Sequence, residues 1–237
     1  MALPMNSTPV YTLTVPSSGK QLKFRPFLIK EEKTLLIAQQ SEDPIVMVES
    51  LKEVIQSCIK DEVDVNELAT FDLEYIFTQI RSKSVGEIIE LMMLCDTCTD
   101  DKAVAKVSID LTKIQVEKNP EHKSKIHLYQ DVGIVMKYPT LDILKKMESI
   151  NTNDLDEVFN IVVDCIDYIY NEEEVFHAKE QTKQELLDFL NNLSSDQFAE
   201  VQKFFETMPK LKHEIDYVCP VCSKEHHKVL EGLNSFF

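Results

Sequence analysis

Tryptophan is absent from this 237-residue chain, and glycine occurs only four times. So little glycine leaves no material for a phosphate cradle, and neither GxGxxG nor GxxxxGK[ST] occurs. Basic residues are also few, 25 against 41 acidic ones, for a net charge of −16. A surface of that sign repels phosphate backbones and anionic lipid, which argues against nucleic acid and membranes as partners. It suits instead a soluble protein that resists non-specific association. No apolar run approaches the ~20 residues needed to cross a bilayer. The opening MALPMNSTPVYTL lacks the positive start and apolar core of a signal peptide, so the chain reads as cytosolic.

What is present is enough for a real core, since 43% of residues are hydrophobic. The length allows one large domain or two small ones. Residues 10–15 (VYTLTV) and 21–27 (QLKFRPF) alternate around a Pro-Ser-Ser-Gly turn, which predicts a β-hairpin with Tyr11, Leu13 and Val15 opposite Leu22 and Phe24. Helical periodicity follows over 31–40, with Leu35, Leu36 and Ala38 expected on the buried side. It resumes after Asp43-Pro44, where Val46, Val48, Leu51, Val54, Ile55, Cys58 and Ile59 recur at helical spacing. A third helix, capped by Thr70 with Asp72, carries Leu73, Ile76, Phe77 and Ile80. Residues 87–94 (EIIELMML) and 103–111 (AVAKVSIDL) read as strands, 114–131 as a loop with short strand fragments, and 132–138 as a further strand. Beyond Pro139 the pattern is mainly helical as far as Pro209, with Ile166 and Ile169 continuing the apolar stripe of one helix. Ser194 or Ser195 caps the last helix. The fold class expected is α+β. It divides into a hairpin, helices and β-rich region over 1–139, a helical insertion over 140–209, and a C-terminal knuckle and tail over 210–237 that packs back on the first region.

Six cysteines in a reducing compartment argue for metal or redox chemistry rather than a disulfide framework. Cys58 and Cys165 fall on apolar helical stripes and read as small core residues. The other four form two CxxC pairs, Cys95-Asp-Thr-Cys98 and Cys219-Pro-Val-Cys222, each delivered by a strand-like run and followed by a return segment. A two-residue gap lets two thiolates reach one ion at ~2.3 Å, and two such pairs complete a tetrahedral four-thiolate zinc site. The halves lie about 120 residues apart, far more than the ~15–20 of a zinc ribbon, so the ion would clamp mid-chain to C-terminus. A redox CxxC prefers a helix N-terminus, where the thiol pKa falls. The first pair instead follows a β-like run and precedes Asp100 and Asp101, whose charge opposes a thiolate. His226 and His227 could replace a sulfur, but four cysteines already fill the shell, so both read as exposed or supporting residues. Four thiolates leave no open position for water, which makes such a zinc structural. No Ser/His/Asp arrangement, HExxH or G-x-S-x-G occurs, and Glu172, Glu173 and Glu174 read as a solvated turn.

Several segments together are similar to the baseplate hub assembly proteins of T-even-type myoviruses. They are residues 16–20 (PSSGK), 24–33 (FRPFLIKEEK), 71–77 (FDLEYIF), 80–87 (IRSKSVGE), the paired CxxC elements, 204–209 (FFETMP) and 230–237 (LEGLNSFF). The resemblance implies a non-enzymatic late protein needed to build the central hub of a contractile tail's baseplate in the host cytoplasm, with other hub or hub assembly proteins as partners. Both assembly factors resembling chaperones and permanent hub components belong to such a family. It supplies no catalytic residues, and only the four cysteines carry over. The rival class is a dithiol oxidoreductase. Phe236 and Phe237 either anchor on a partner or fold back over the protein's own core. Arg25 and Lys30 either contact a partner or stand as solvated charges, and the solvated reading is the one expected of long charged side chains.

Overall fold

The computed structural model describes residues 7–41, 43–98, 102–149 and 155–232. Seven α-helices and eleven strands occur among them, an α+β protein as the residue pattern predicts. The chain divides into two compact units. One is assembled from Met1–Val65, Phe71–Glu117 and Lys210–Phe237, the other from Asn66–Thr70 and Lys118–Pro209.

In the first unit, β1 (Tyr11–Thr14) and β2 (Gln21–Phe24) form the expected hairpin, with Leu13 opposite Leu22 and Tyr11 opposite Phe24. Period-2 alternation puts Leu13, Val15, Leu22 and Phe24 inside. The hairpin turn is tied to α3 (Thr70–Ser84) by the Ser17 N–H, which donates to Asp72 Oδ1 at 2.9 Å. Asp72 is fully buried and holds this tether. Between hairpin and α3 lie α1 (Ile29–Ser41) and α2 (Pro44–Cys58); Asp43 caps α2 by accepting from the Ile45 N–H. Ala38 is buried as predicted, but Leu36 is 52% exposed and Val46 is exposed as well. The apolar residues of α1 are spread around the helix, so no single face can bury all of them.

The remainder of this unit is two antiparallel sheets. β3 (Ile88–Leu94) pairs with β4 (Val104–Asp110), and β10 (Lys210–Val218) lies between β11 (Glu225–Glu231) and the short β5 (Gln115–Glu117). Ile89 and Met93, Ala105 and Ile109, Leu211, Ile215 and Tyr217, and Leu230 form one core between them.

In the second unit, β6 (Lys125–Tyr129), β7 (Val132–Met136), β8 (Ile166–Tyr170) and β9 (Val175–His177) form a four-stranded antiparallel sheet in that order. Helices α4 (Leu141–Ser149) and α5 (Leu155–Asp164) connect β7 to β8, and α6 (Lys183–Asn191) and α7 (Ser195–Thr207) follow β9. Thr182 with Glu185, and Ser194 with Gln197, form reciprocal capping boxes that start α6 and α7. The core gathers Ile134, Ile161, Val162, Cys165, Ile166, Leu186, Leu190, Val201 and Phe204. One expected element changes type here: the stripe running through Ile166 and Ile169 is cut at Asp164, and residues 166–170 (IDYIY) form β8. Both positions fit helical spacing, but Ile166, Tyr168 and Tyr170 also alternate, and the β-branched and aromatic content favours the strand.

Candidate metal centre

The two CxxC pairs are reached by strand alternation. Ile89, Leu91 and Met93 face the sheet-to-sheet core, and the next residue in that series is Cys95. On β10 the series Leu211, Ile215 and Tyr217 continues to Cys219. Both first cysteines therefore arrive on the same buried side, at the end of the core, where they cluster with Ala103 and Cys98. Backbone bonds fix the turns: the Cys95 N–H donates to Ala103 O at 3.0 Å, and the Cys219 N–H donates to Lys224 O at 2.9 Å. The Ser223 N–H closes the second knuckle onto Cys219 O at 3.0 Å, which requires Ser223 to adopt φ +58°.

All four sulfurs lie within 4.8 Å of one another. Across the pairs, Cys95 Sγ is 3.9 Å from Cys222 Sγ, and Cys98 Sγ is 3.8 Å from Cys219 Sγ. A tetrahedron with ~2.3 Å metal–sulfur bonds has edges of about 3.8 Å. The two cross-pair spacings match that edge, and both are far from the ~2.05 Å of a disulfide. All four are free thiols. The donor set and its geometry fit a soft or borderline metal ion.

Supporting groups surround the sulfurs. The Thr97 hydroxyl lies 3.2 Å from Cys95 Sγ, and His226 Nε2 lies 3.3 Å from the same sulfur. The His226 ring stacks on Tyr217 with centroids 4.9 Å apart, and the Tyr217 hydroxyl donates to Leu94 O at 2.9 Å. The Thr97 hydroxyl and backbone draw the Cys95 thiol down to about 5. Its bond to Cys222, followed by burial, pushes Cys98 up to about 12. The Lys224 backbone N–H lowers Cys222. The hydrogen bonds thus favour the thiolate at Cys95 and Cys222 and oppose it at Cys98.

A family model described as T4 bacteriophage base plate protein matches residues 8–237. The chain belongs to this family. Comparison with curated proteins and with solved structures finds no match. A baseplate protein works among other baseplate proteins, and no described helix is long and apolar enough to cross a membrane.

Elsewhere in the baseplate protein, Cys58 and Cys165 are fully buried, and burial raises both thiols, Cys165 to about 12. His227 is exposed, and its Nδ1 bonds Asp216 at 2.8 Å, which raises its pKa; it stands apart from the sulfurs. Glu172, Glu173 and Glu174 are exposed in a turn organised by Asn171 Oδ1, which accepts from the Glu173 and Glu174 N–H groups. Asp100, Asp101, Phe236 and Phe237 lie outside the described residues.

Arg25 departs from the sequence reading. It is 7% exposed, and its guanidinium bonds Glu31 Oε1 at 2.7 Å and donates to Pro26 O at 2.9 Å. Lys30 does remain largely in solvent, 3.2 Å from the same carboxylate.

The second knuckle yields a simple expectation. A non-glycine residue in the left-handed region costs roughly 1–2 kcal/mol. Ser223→Gly should therefore raise the thermal midpoint of the baseplate protein without changing its metal content, as calorimetry and metal analysis on the same sample would register. An unchanged or lowered midpoint would show that the Ser223 side chain contributes more than its backbone strain costs.

Proposed function

We propose that the protein is a non-enzymatic factor for assembly of the baseplate's central hub, acting through protein–protein contacts while a structural zinc ion holds its fold. The observation that carries the reading is the conjunction of a family match over residues 8–237 with four thiols within 4.8 Å of one another, two of the separations being 3.8 and 3.9 Å. Cys95, Cys98, Cys219 and Cys222 would be the ligands, with Thr97 and His226 donating to Cys95. Zinc supplies four strong bonds and, with its shell full, no site for substrate or water. Its effect is mechanical: it locks the end of the β3–β4 sheet to the end of the β10–β11 hairpin. The net charge of −16 suits a protein that must remain dispersed in the host cytoplasm until it meets partners.

The reading is tested in infected cells with a tagged chain. It expects about one zinc per chain and co-purification with the other hub proteins. Thiol–disulfide turnover by a metal-free chain would instead establish the oxidoreductase. Quantifying the protein in mature particles then separates an assembly factor, which is absent, from a permanent hub component, which is present in fixed copy number.

A further inference from the structure

A strand with an open side leaves a row of backbone groups unmatched, and proteins blunt such edges with short strands, bulges or charged side chains. Several edges here follow that rule. β5 and β9 have three residues each, and β6 is broken by a register shift between His127 and Tyr129. β11 carries Glu225, Lys228 and Glu231, and β4 carries Lys106 and Asp110. β3 differs. Its seven residues, IIELMML, run in unbroken register against β4 with no lysine, no proline and a single charge, Glu90.

The register fixes which groups face outward. The Leu111 N–H donates to Glu87 O at 2.8 Å and the Cys95 N–H to Ala103 O at 3.0 Å, so the odd-numbered residues of β3 bond β4. Ile88, Glu90, Met92 and Leu94 turn their N–H and C=O groups the other way. Leu94 O accepts from the Tyr217 hydroxyl. Among the described residues, the outward backbone groups of Ile88, Glu90 and Met92 have no hydrogen-bond partner. The same side chains alternate onto the outer face, where Ile88, Met92 and Leu94 are each more than half exposed. Glu90 is paired within the chain by Lys106 at 2.7 Å, so its charge is balanced there in a protein of net charge −16.

Two acidic copies repel least where their charges already cancel. The strand also reads compatibly in reverse, as a two-fold contact requires. An axis through Leu91 sets Ile88 against the second copy's Leu94, and Glu90 against its Met92. An axis through Glu90 sets two carboxylates directly opposite, which is unfavourable. The first register is therefore preferred, and Leu94 O keeps a second lone pair for it.

We propose that β3 is a self-association edge. It pairs antiparallel with β3 of a second copy about a two-fold at Leu91, joining two β3–β4 hairpins into one four-stranded sheet. Main-chain hydrogen bonds supply the attachment, and Ile88 and Leu94 of the two copies cover one another on the outer face. The pairing requires neither the metal nor the hub reading.

The test is the mass of the purified full chain by sedimentation across a range of protein concentrations. A concentration-dependent dimer is expected. Met92→Lys, at an exposed position, should weaken it at least ten-fold with metal content unchanged. A single-chain mass at every concentration, or a dimer that Met92→Lys leaves intact, would overturn the proposal. A second measurement mixes isotopically heavy and light full chains carrying Met92→p-benzoylphenylalanine. Illumination should join heavy to light chains at peptides containing residues 88–94. Cross-links formed only within one chain, or only to another baseplate protein in an infected-cell lysate, would overturn it and give the edge a different occupant. Should Met92→Lys fail to fold, the cross-linking still decides.

Discussion

Cys219→Ser is expected to abolish metal retention and to lower stability by at least about 4 kcal/mol. That figure is the scale of the chain entropy a cross-link removes when it closes a loop of ~100 residues, and Cys98 and Cys219 are 121 residues apart. The metal–thiolate bonds themselves add to it, since structural zinc contributes its binding energy directly to folding. The loss should be local at first: the core formed by Ile89, Met93, Ile215 and Tyr217 ends at the cysteines, so the free ends of β3 and β10 would open before the hairpin of residues 11–24. Hydrogen exchange, metal analysis and denaturant titration read these three consequences separately. Cys165→Ala, which alters a fully buried thiol in the other unit, should leave the metal in place. A Cys219→Ser chain that keeps its metal and its denaturation midpoint, yet no longer supports hub assembly, would defeat the view of the ion as a clamp.

The second large effect is expected at Glu31. Its carboxylate is 4% exposed at the residue level and holds Arg25 at 2.7 Å, the Leu28 N–H at 2.8 Å and the Ser57 hydroxyl at 3.0 Å. Burial opposes its charge, but Arg25, with Leu28, Lys30 and Ser57, outweighs burial and holds the group at about 2. Glu31→Ala leaves a buried guanidinium without its counter-charge and should cost roughly 3–5 kcal/mol. The double replacement Arg25→Met with Glu31→Leu removes both charges and should recover most of that loss; a double variant as unstable as the single one would show that the pair is not the cause. The pH dependence follows from the same contacts. Because the folded group titrates below its ordinary value of 4.5, its stabilisation is complete above that value and disappears as pH falls from about 4.5 to about 2. In Glu31→Gln, that part of the acid sensitivity should be missing from the stability profile.

The four-cysteine cluster was legible because its information is local. Each CxxC reads as a ligand pair, and strict alternation through Met93 to Cys95 and through Tyr217 to Cys219 states which way the first sulfur of each pair points. The supporting groups were not legible in the same way. His226 reaches Cys95 only because β11 pairs with β10, where it stands opposite Tyr217. Nothing in its neighbourhood along the chain separates it from His227, which turns outward. The Arg25–Glu31 pair was missed for a related reason. Six residues separate the partners across a strand end and a helix start, a spacing that belongs to neither period and that only the junction itself creates. In the second unit the limit was ambiguity rather than distance, since Ile166 and Ile169 satisfy a helical stripe while Ile166, Tyr168 and Tyr170 satisfy a strand.

The wide separation of the two CxxC pairs also bears on how the protein is made. Bacterial and other chains leave the ribosome at ~5–20 residues per second, so Cys98 precedes Cys219 by about 6–24 s of synthesis. During that interval residues 118–209, all of the second unit but Asn66–Thr70, are produced, and the first pair has only half of the four-cysteine set. The site can be filled tightly only when translation has passed residue 222. On the proposed reading of a metal clamp, four-thiolate ligation therefore needs a chain that extends past Cys222, and a product terminated anywhere in the preceding 120 or so codons offers at most one ligand pair.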